Sequence, residues 1–183
     1  MIQKIIKPTK RLNVETILDK HGLPKHSTTH VIGLGFDGPI NNEVKDKSWM
    51  YFPNLERSPF YRMTAFSNYS PFLVNEPYKQ SSMMFEVCET EHLPDTSDVI
   101  NRTIEGAINE KLIDEVDADQ IVTKFHMKFD YGYPTPYLTR DPFLNELEPI
   151  LRNELDIYSR GRFGGWRYEV SNQDHRYIVY FYN

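Results

Sequence analysis

Residues 120–129 carry the pattern that most restricts the fold of this chain, because apolar and polar side chains alternate along them. Strict alternation predicts a β-strand with one face turned towards the protein core and the other towards water. The predicted inward face consists of Ile121, Thr123, Phe125, Met127 and Phe129. The predicted outward face consists of Lys124, His126 and Lys128.

Four further runs are rich in aromatic or β-branched residues and end at proline, glycine or polar residues. Runs of this kind predict short strands separated by turns. They span residues 31–38, 48–52, 60–69 and 83–89. The second and third runs are close enough in sequence to form a hairpin.

The third of these runs contains an arginine in an apolar context. Alternation places Arg62 on the same face as Phe60, with Tyr61 on the opposite face. An arginine among apolar neighbours needs a counter-charge. Two sources remain open from the sequence: a carboxylate such as Glu56 or Glu86, or the phosphate of a ligand.

Helical patterns occur in three places. Asn13 is a candidate N-cap for a short helix that ends at Lys20. A second helix begins at Asp95 or Ser97, and a third begins at Asp141, which is followed by proline. The apolar stripes of the second and third helices are Ile100, Ile104, Ile108 and Leu112, and Phe143, Leu147 and Leu151. Strands interrupted by helices predict an α+β fold: an antiparallel or mixed sheet of about five to six strands with two helices packed on one face.

Charge and cysteine content exclude several classes of protein. The chain has 183 residues, enough for one domain with a sizeable core, and its formal net charge of -5 argues against a general nucleic-acid-binding protein. Cys88 is the single cysteine, so no internal disulfide is expected. No apolar run approaches the roughly 20 residues that span a bilayer. Residues 1–8 lack a signal-peptide core, and we therefore expect a cytoplasmic location.

Two short motifs are not interpreted as functional sites. His26 and His30 have a four-residue spacing, but Pro24 disfavours a helix there and no third ligand is near, so no metal site is predicted. Residues 33–38 read G-x-G-x-x-G, yet Pro39 follows them where a dinucleotide fingerprint needs a helix. We interpret these glycines as strand positions that let neighbouring backbone or a ligand come close.

Residues 158–175 combine glycine, arginine and aromatic residues more densely than any other stretch. Gly161, Gly164 and Gly165 would allow a flat or bulky group to approach the backbone, and Arg162 offers a forked donor for phosphate or carboxylate. These residue types in this arrangement predict a segment that contacts a ligand. A glycine-rich turn with solvated arginines is the alternative.

The sequence of this segment, YSRGRFGGWRYEVSNQDH, resembles the C-terminal signature of the UDP-galactopyranose mutase family and of related FAD-dependent, amine-oxidase-like flavoproteins. The resemblance extends over residues 31–175 and includes Ser-Asn-Tyr at 67–69 and Gly-Tyr-Pro at 132–134. It implies a C-terminal portion of an enzyme that interconverts the pyranose and furanose forms of a UDP-sugar. In that family, N5 of reduced FAD is the nucleophile.

The resemblance also implies roles for individual residues. The substrate would be bound by Tyr51, Arg62, Tyr69, Tyr133 and Tyr168. The flavin would be contacted by Gly161, Arg162, Asn172 and Gln173. No side chain is assigned as catalytic, because the flavin supplies the nucleophile.

Residues 1–30 are predicted to be a lead-in with a short helix. By the same resemblance, residues 31–175 are a substrate-domain portion, and residues 176–183, which depart from the family, are an atypical tail. FAD is expected to bind only together with a flavin-binding half, for which a separately encoded chain is a candidate partner. Alone, the chain is expected to be inactive and to self-associate. Two other interpretations remain open: part of an amine-oxidase-like oxidoreductase, or a truncated, non-catalytic sugar-nucleotide-binding remnant.

Overall fold

The computed structural model describes residues 12–93 and 97–168. The helices are α1 (Leu12–His21), α2 (Val99–Asn109), α3 (Glu115–Asp119), α4 (Arg140–Leu155) and α5 (Gly161–Gly164). The strands are β1 (His26–Phe36), β2 (Trp49–Tyr51), β3 (Phe60–Ala65), β4 (Ser81–Glu89) and β5 (Ile121–Pro134). The described residues form two compact units: residues 28–132, and residues 12–27 together with 133–168.

The five strands form one antiparallel sheet in the order β2-β3-β4-β1-β5. β1 pairs with β4 so that Ile32 lies opposite Phe85, and β3 pairs with β4 so that Met63 also lies opposite Phe85. These residues belong to the core of the unit 28–132, and all three are fully buried. The α+β fold class predicted from the sequence is confirmed.

Helix α2 packs on the core face of this sheet, although its buried side is rotated from the predicted stripe. Val99 and Ala107 are buried in the core, whereas Ile100, Ile104 and Ile108 are partly buried against it. Gly106 explains the rotation, because a Cβ at this position would lie 2.8 Å from Cδ of Pro59. Close approach of the loop before β3 therefore brings the small residues of α2 to the interface.

Strand β5 forms as predicted and is longer than residues 120–129, but its apolar row is not turned inward. Phe125 and Phe129 are 48% and 47% exposed. A Cβ added to Gly33 on β1 would lie 3.3 Å from Cβ of Phe125, so the two residues are on the same face of the sheet. Ile32 and Leu34, the neighbours of Gly33, point to the helix-packed core, so the row of Phe125 is on the opposite face. β5 is also the last strand of the sheet order. The expectation of an inward face was wrong because alternation distinguishes two faces without indicating which one is covered.

In the second unit, α1 packs against α4. Val14 and Ile17 of α1 are buried together with Phe143, Leu147 and Leu151 of α4. The helix predicted to end at Lys20 is thus confirmed, but it spans Leu12–His21, so Asn13 lies within it and is not its N-cap. Nζ of Lys20 also donates to Oε1 of Glu146 at 2.6 Å.

Candidate functional site

The sheet face that α2 does not cover carries the first group of predicted site residues. Tyr51 on β2 is the direct partner of Arg62 on β3, and Arg62 is in turn the partner of Glu86 on β4. Directly paired residues point to the same face of a sheet. Trp49, two residues before Tyr51, lies on this face as well and is half-exposed.

Arg62 is held by a carboxylate and lies over an aromatic ring. Its Nε donates to Oε1 of Glu86 at 2.8 Å, and its Nη2 contacts the same oxygen. The guanidinium carbon is 5.0 Å from the ring centroid of Trp49, within the range of a cation–π contact. Of the two sources of counter-charge left open by the sequence, Glu86 is the one observed in the structure.

A β-bulge changes the faces that alternation predicted for β3. Phe60 pairs with Val87 and Arg62 pairs with Glu86, which leaves Tyr61 as an extra residue between two ladder positions. Phe60 is therefore fully buried in the core, while Tyr61 donates its hydroxyl to Oε2 of Glu86 at 2.5 Å. The predictions that Phe60 shares the face of Arg62 and that Tyr61 lies opposite it were wrong.

Tyr69 lies beyond the end of β3 in a short helical turn, not in a continued strand. The strand predicted for residues 60–69 ends at Ala65, and Phe66–Asn68 forms a single 3₁₀ turn. The side-chain amide of Asn68 donates to the carbonyls of Val44 at 3.1 Å and of Lys47 at 2.6 Å. These bonds fix the backbone next to Tyr69, whose own ring is about half-exposed.

An open groove of about 470 Å³ lies in the same unit. Its lining includes Gly33, Gly35, Phe66, Leu73 and Phe125. A Cβ added to Gly33 would lie 3.3 Å from Cβ of Phe125, and one added to Gly35 would lie 3.3 Å from Cβ of Thr123. The expectation that these glycines permit a close neighbour is confirmed, and that neighbour is strand β5.

The second unit contains a separate cluster of predicted site residues. The rings of Tyr133 and Tyr168 stack with centroids 5.5 Å apart and planes inclined by 20°. The guanidinium carbon of Arg162 lies 4.7 Å from the centroid of the Tyr133 ring. Three residues that the family resemblance selected from distant parts of the sequence are thus in contact.

The glycine-rich segment around Arg162 forms α5 and the turn that follows. Gly161 has a φ angle of 73°, which a glycine adopts without strain. A Cβ on Gly164 would lie 2.8 Å from the carbonyl carbon of Ser159, whereas the nearest neighbour of a Cβ on Gly165 is at 3.8 Å. Trp166 closes the turn by donating its indole N–H to the carbonyl of Lys25 at 2.7 Å.

The remaining predicted site residues, Asn172 and Gln173, lie outside the described residues. His30, considered above as half of a metal pair, instead contacts His126 and Glu89 through its two ring nitrogens at 2.9 and 2.7 Å. Within residues 12–93 and 97–168 there is no cluster of three or more side chains suited to a metal ion. No helix in that part of the chain is long and apolar enough to cross a membrane.

Sequence reasoning missed two residues of the Arg62 cluster. Trp49 could have been found, because it is two residues from Tyr51 in a strand and therefore shares its face. Tyr61 could not have been found by alternation, since its contact with Glu86 depends on the bulge.

Comparison with known proteins gives the following relationships. No protein-family model matches the chain. A crystal structure of reduced UDP-galactopyranose mutase is 42% identical in sequence with a TM-score of 0.76, and the match covers 89% of this chain and 33% of that protein. A proposed protoporphyrinogen oxidase from Exiguobacterium sp. 255-15 is 12% identical with a TM-score of 0.51, covering 81% of this chain and 33% of that one. The second match shows similarity of fold alone.

The fold is therefore the α+β portion that occurs within larger proteins of both kinds. The resemblance to UDP-galactopyranose mutase seen in the sequence is confirmed: this chain is similar to one third of such an enzyme.

Proposed function

We propose that this chain is the substrate- and flavin-contacting portion of a UDP-galactopyranose mutase-type enzyme. The observation that carries the proposal is the 42% identity with a mutase over 89% of the chain. The positions of the predicted residues support it, since Tyr51 and Arg62 are direct cross-strand neighbours and the rings of Tyr133 and Tyr168 stack. We propose further that the complete enzyme acts on a UDP-sugar and that another portion of it binds the flavin.

In this function the side chains bind and orient the UDP-sugar. Arg62 would hold the diphosphate through charge-assisted hydrogen bonds, each of roughly 1.5–3 kcal/mol. Tyr51, Tyr69, Tyr133 and Tyr168 would donate their hydroxyls to phosphate oxygens. Since Glu86 already offsets one positive charge, the tyrosine donors would carry a substantial share of the diphosphate affinity.

We propose that the flavin-contacting residues of this chain reach one edge of FAD and not its pyrophosphate. After the glycines of β1 the chain passes through turns to β2, and the sheet is antiparallel, so no strand–glycine–helix cradle exists among residues 28–93. Arg162 and Gly161, with Asn172 and Gln173, would contact the flavin. When bound in its reduced form, FAD would supply the nucleophile at N5.

The test is a calorimetric or NMR titration of the purified chain with UDP. Arg62→Ala should weaken UDP binding about tenfold or more, and Arg62→Lys should not restore it, because an ammonium lacks the forked geometry. Arg152→Ala is the matched control, since it removes an exposed arginine from α4. Equal UDP affinity in wild type and Arg62→Ala would contradict the assignment.

The same titration separates the alternatives. An amine-oxidase-like oxidoreductase has no need of UDP, and the similarity in that direction is limited to the fold. A non-catalytic remnant would bind UDP but would remain inactive when a flavin-binding portion is supplied.

A further inference from the structure

We propose that Glu86 is a positioning residue for the diphosphate: it fixes the orientation in which Arg62 meets the ligand. This inference rests on the proposed function, because it concerns the same anion site. Glu86 would act through Arg62, without touching the ligand itself.

Both oxygens of the Glu86 carboxylate are engaged by neighbouring donors on β3. Oε1 accepts from Arg62, with Nε at 2.8 Å, and Oε2 accepts from the hydroxyl of Tyr61 at 2.5 Å. A carboxylate held at both oxygens has little freedom to rotate. The edge of the guanidinium formed by Nε and Nη2 is consequently held in one direction.

The bulge in β3 is what brings two donors to one carboxylate. In a regular ladder only one residue of β3 would lie opposite Glu86, and the next residue would point into the core. With Tyr61 as the extra residue, Tyr61 and Arg62 both reach Glu86 on the same face. Bulges often re-aim a side chain beside a functional site.

Burial distinguishes this ion pair from a surface one. The Glu86 side chain is 5% exposed and the Arg62 side chain is 19% exposed. A pair so little hydrated keeps its geometry better than a solvated one, and the ring of Trp49 limits motion of the guanidinium further. Arg62 would thus meet a ligand without first losing rotamer freedom, which is a gain through preorganisation.

Neutralising Glu86 tests the inference, because the direction of the change in UDP affinity depends on the role of this residue. If Glu86 served only as a counter-charge, its neutralisation would leave Arg62 with an uncompensated positive charge and UDP would bind more tightly. If Glu86 orients Arg62, the same change would weaken UDP binding despite the gain in positive charge. The two roles therefore predict opposite changes in UDP affinity.

The experiment measures UDP and uridine affinities by NMR titration for wild type, Glu86→Gln and Glu105→Gln. Glu105 lies on α2, is exposed, and provides the matched loss of one negative charge from the same unit. For Glu86→Gln we expect UDP binding about tenfold weaker, with uridine binding unchanged, because uridine has no phosphate to be oriented. The ¹⁵N–¹H signal of the Arg62 Nε should also shift, and Glu105→Gln should change none of these values.

UDP affinity that is equal or higher in Glu86→Gln would overturn the positioning role while leaving the proposed function intact. Absence of UDP binding by the wild type would overturn the proposed function, and the inference with it. If Glu86→Gln does not fold, Tyr61→Phe tests the inference instead, since it removes the hydroxyl that donates to Oε2 of Glu86 and keeps the carboxylate. That variant should weaken UDP binding about threefold, roughly the loss of one neutral hydrogen bond. Unchanged UDP affinity in it would reject the inference.

Discussion

The ring of Tyr133, at the end of β5, stacks on the ring of Tyr168, which lies 35 positions later in the sequence, with centroids 5.5 Å apart. Arg162 adds a guanidinium over the Tyr133 ring. Stacking and the cation–π contact hold both phenol rings in a fixed relation. Their hydroxyl groups are therefore suited to act together on one ligand, as the proposed diphosphate contact requires.

Tyr168→Phe should keep the ring stack and remove only the hydroxyl. We expect UDP binding to weaken by about 1 kcal/mol, or roughly fivefold, which corresponds to one lost hydrogen bond. Tyr158→Phe is the control, because Tyr158 is similarly exposed and is not assigned to the substrate. UDP affinities of the two variants that agree within error would argue against a phosphate contact by Tyr168.

Gly164→Ala should destabilise the segment around α5. The added methyl group would sit 2.8 Å from the carbonyl carbon of Ser159, and shifting this backbone should cost about 1–3 kcal/mol locally. Gly165→Ala is the control, because its φ is −87° and its new methyl would have 3.8 Å of room. Hydrogen exchange of residues 159–168 measures the difference. We expect faster exchange and weaker UDP binding in Gly164→Ala alone.

The arrangement of β3 shows how far sequence reasoning reaches. Residue types alone selected Arg62 and restricted its counter-charge to a carboxylate or a ligand phosphate. Which carboxylate it meets, and the reversed facing of Phe60, depend on one extra residue in the strand. A bulge of this kind leaves the composition and nearly all of the alternation unchanged, so it has no clear sequence signal.

The strand and helix were predicted well, because their patterns are properties of their own residues. The face that each of them buries was not, because it depends on neighbouring elements. The alternation in β5 is a property of its own residues, and that strand was predicted correctly. Whether its row of Phe125 and Phe129 is covered depends on which face α2 occupies. Likewise, the helical period of α2 was evident, but its rotation depends on the loop that approaches Gly106.

Acid should weaken the packing of α1 on α4 through Glu146. A hydrogen bond from Lys20, and next the His21 ring, whose Nε2 is 3.2 Å from Oε1 of Glu146, hold the pKa of the Glu146 carboxyl below its ordinary value of 4.5. A pKa lowered by folding means that the contribution to the free energy of unfolding is fully present above about pH 4.5 and is lost as pH falls through the lowered value. Glu146→Gln should therefore have a lower melting temperature than wild type at neutral pH, and the two should converge in acid. The same substitution at exposed Glu148 should show no such convergence.

Concentration-dependent self-association is expected through the uncovered face of β5. Phe125, Met127 and Phe129 form a half-exposed apolar row on the terminal strand of the sheet order. Phe129→Lys should lower the association measured by sedimentation, because a charge is costly to bury between two apolar surfaces. Val116→Lys is the control, since Val116 is an exposed apolar residue on α3. An equal effect of both substitutions would indicate general solubility and not a specific face.

The purified chain should be colourless and should not bind FAD when the cofactor is added. Its sheet is antiparallel, and the glycines of β1 precede turns where a dinucleotide site has a helix N-terminus. Contacts of Arg162, Asn172 and Gln173 with one flavin edge would each contribute roughly 1 kcal/mol, whereas immobilising a ligand costs an estimated 4–15 kcal/mol. Such contacts do not offset that cost, so flavin absorbance should be absent after desalting.

Supplying the flavin-binding portion of a mutase-type enzyme should restore FAD binding, and Arg162→Ala should weaken it relative to Arg152→Ala. A yellow preparation with stoichiometric FAD, or mutase activity of this chain alone after addition of dithionite, would contradict the prediction.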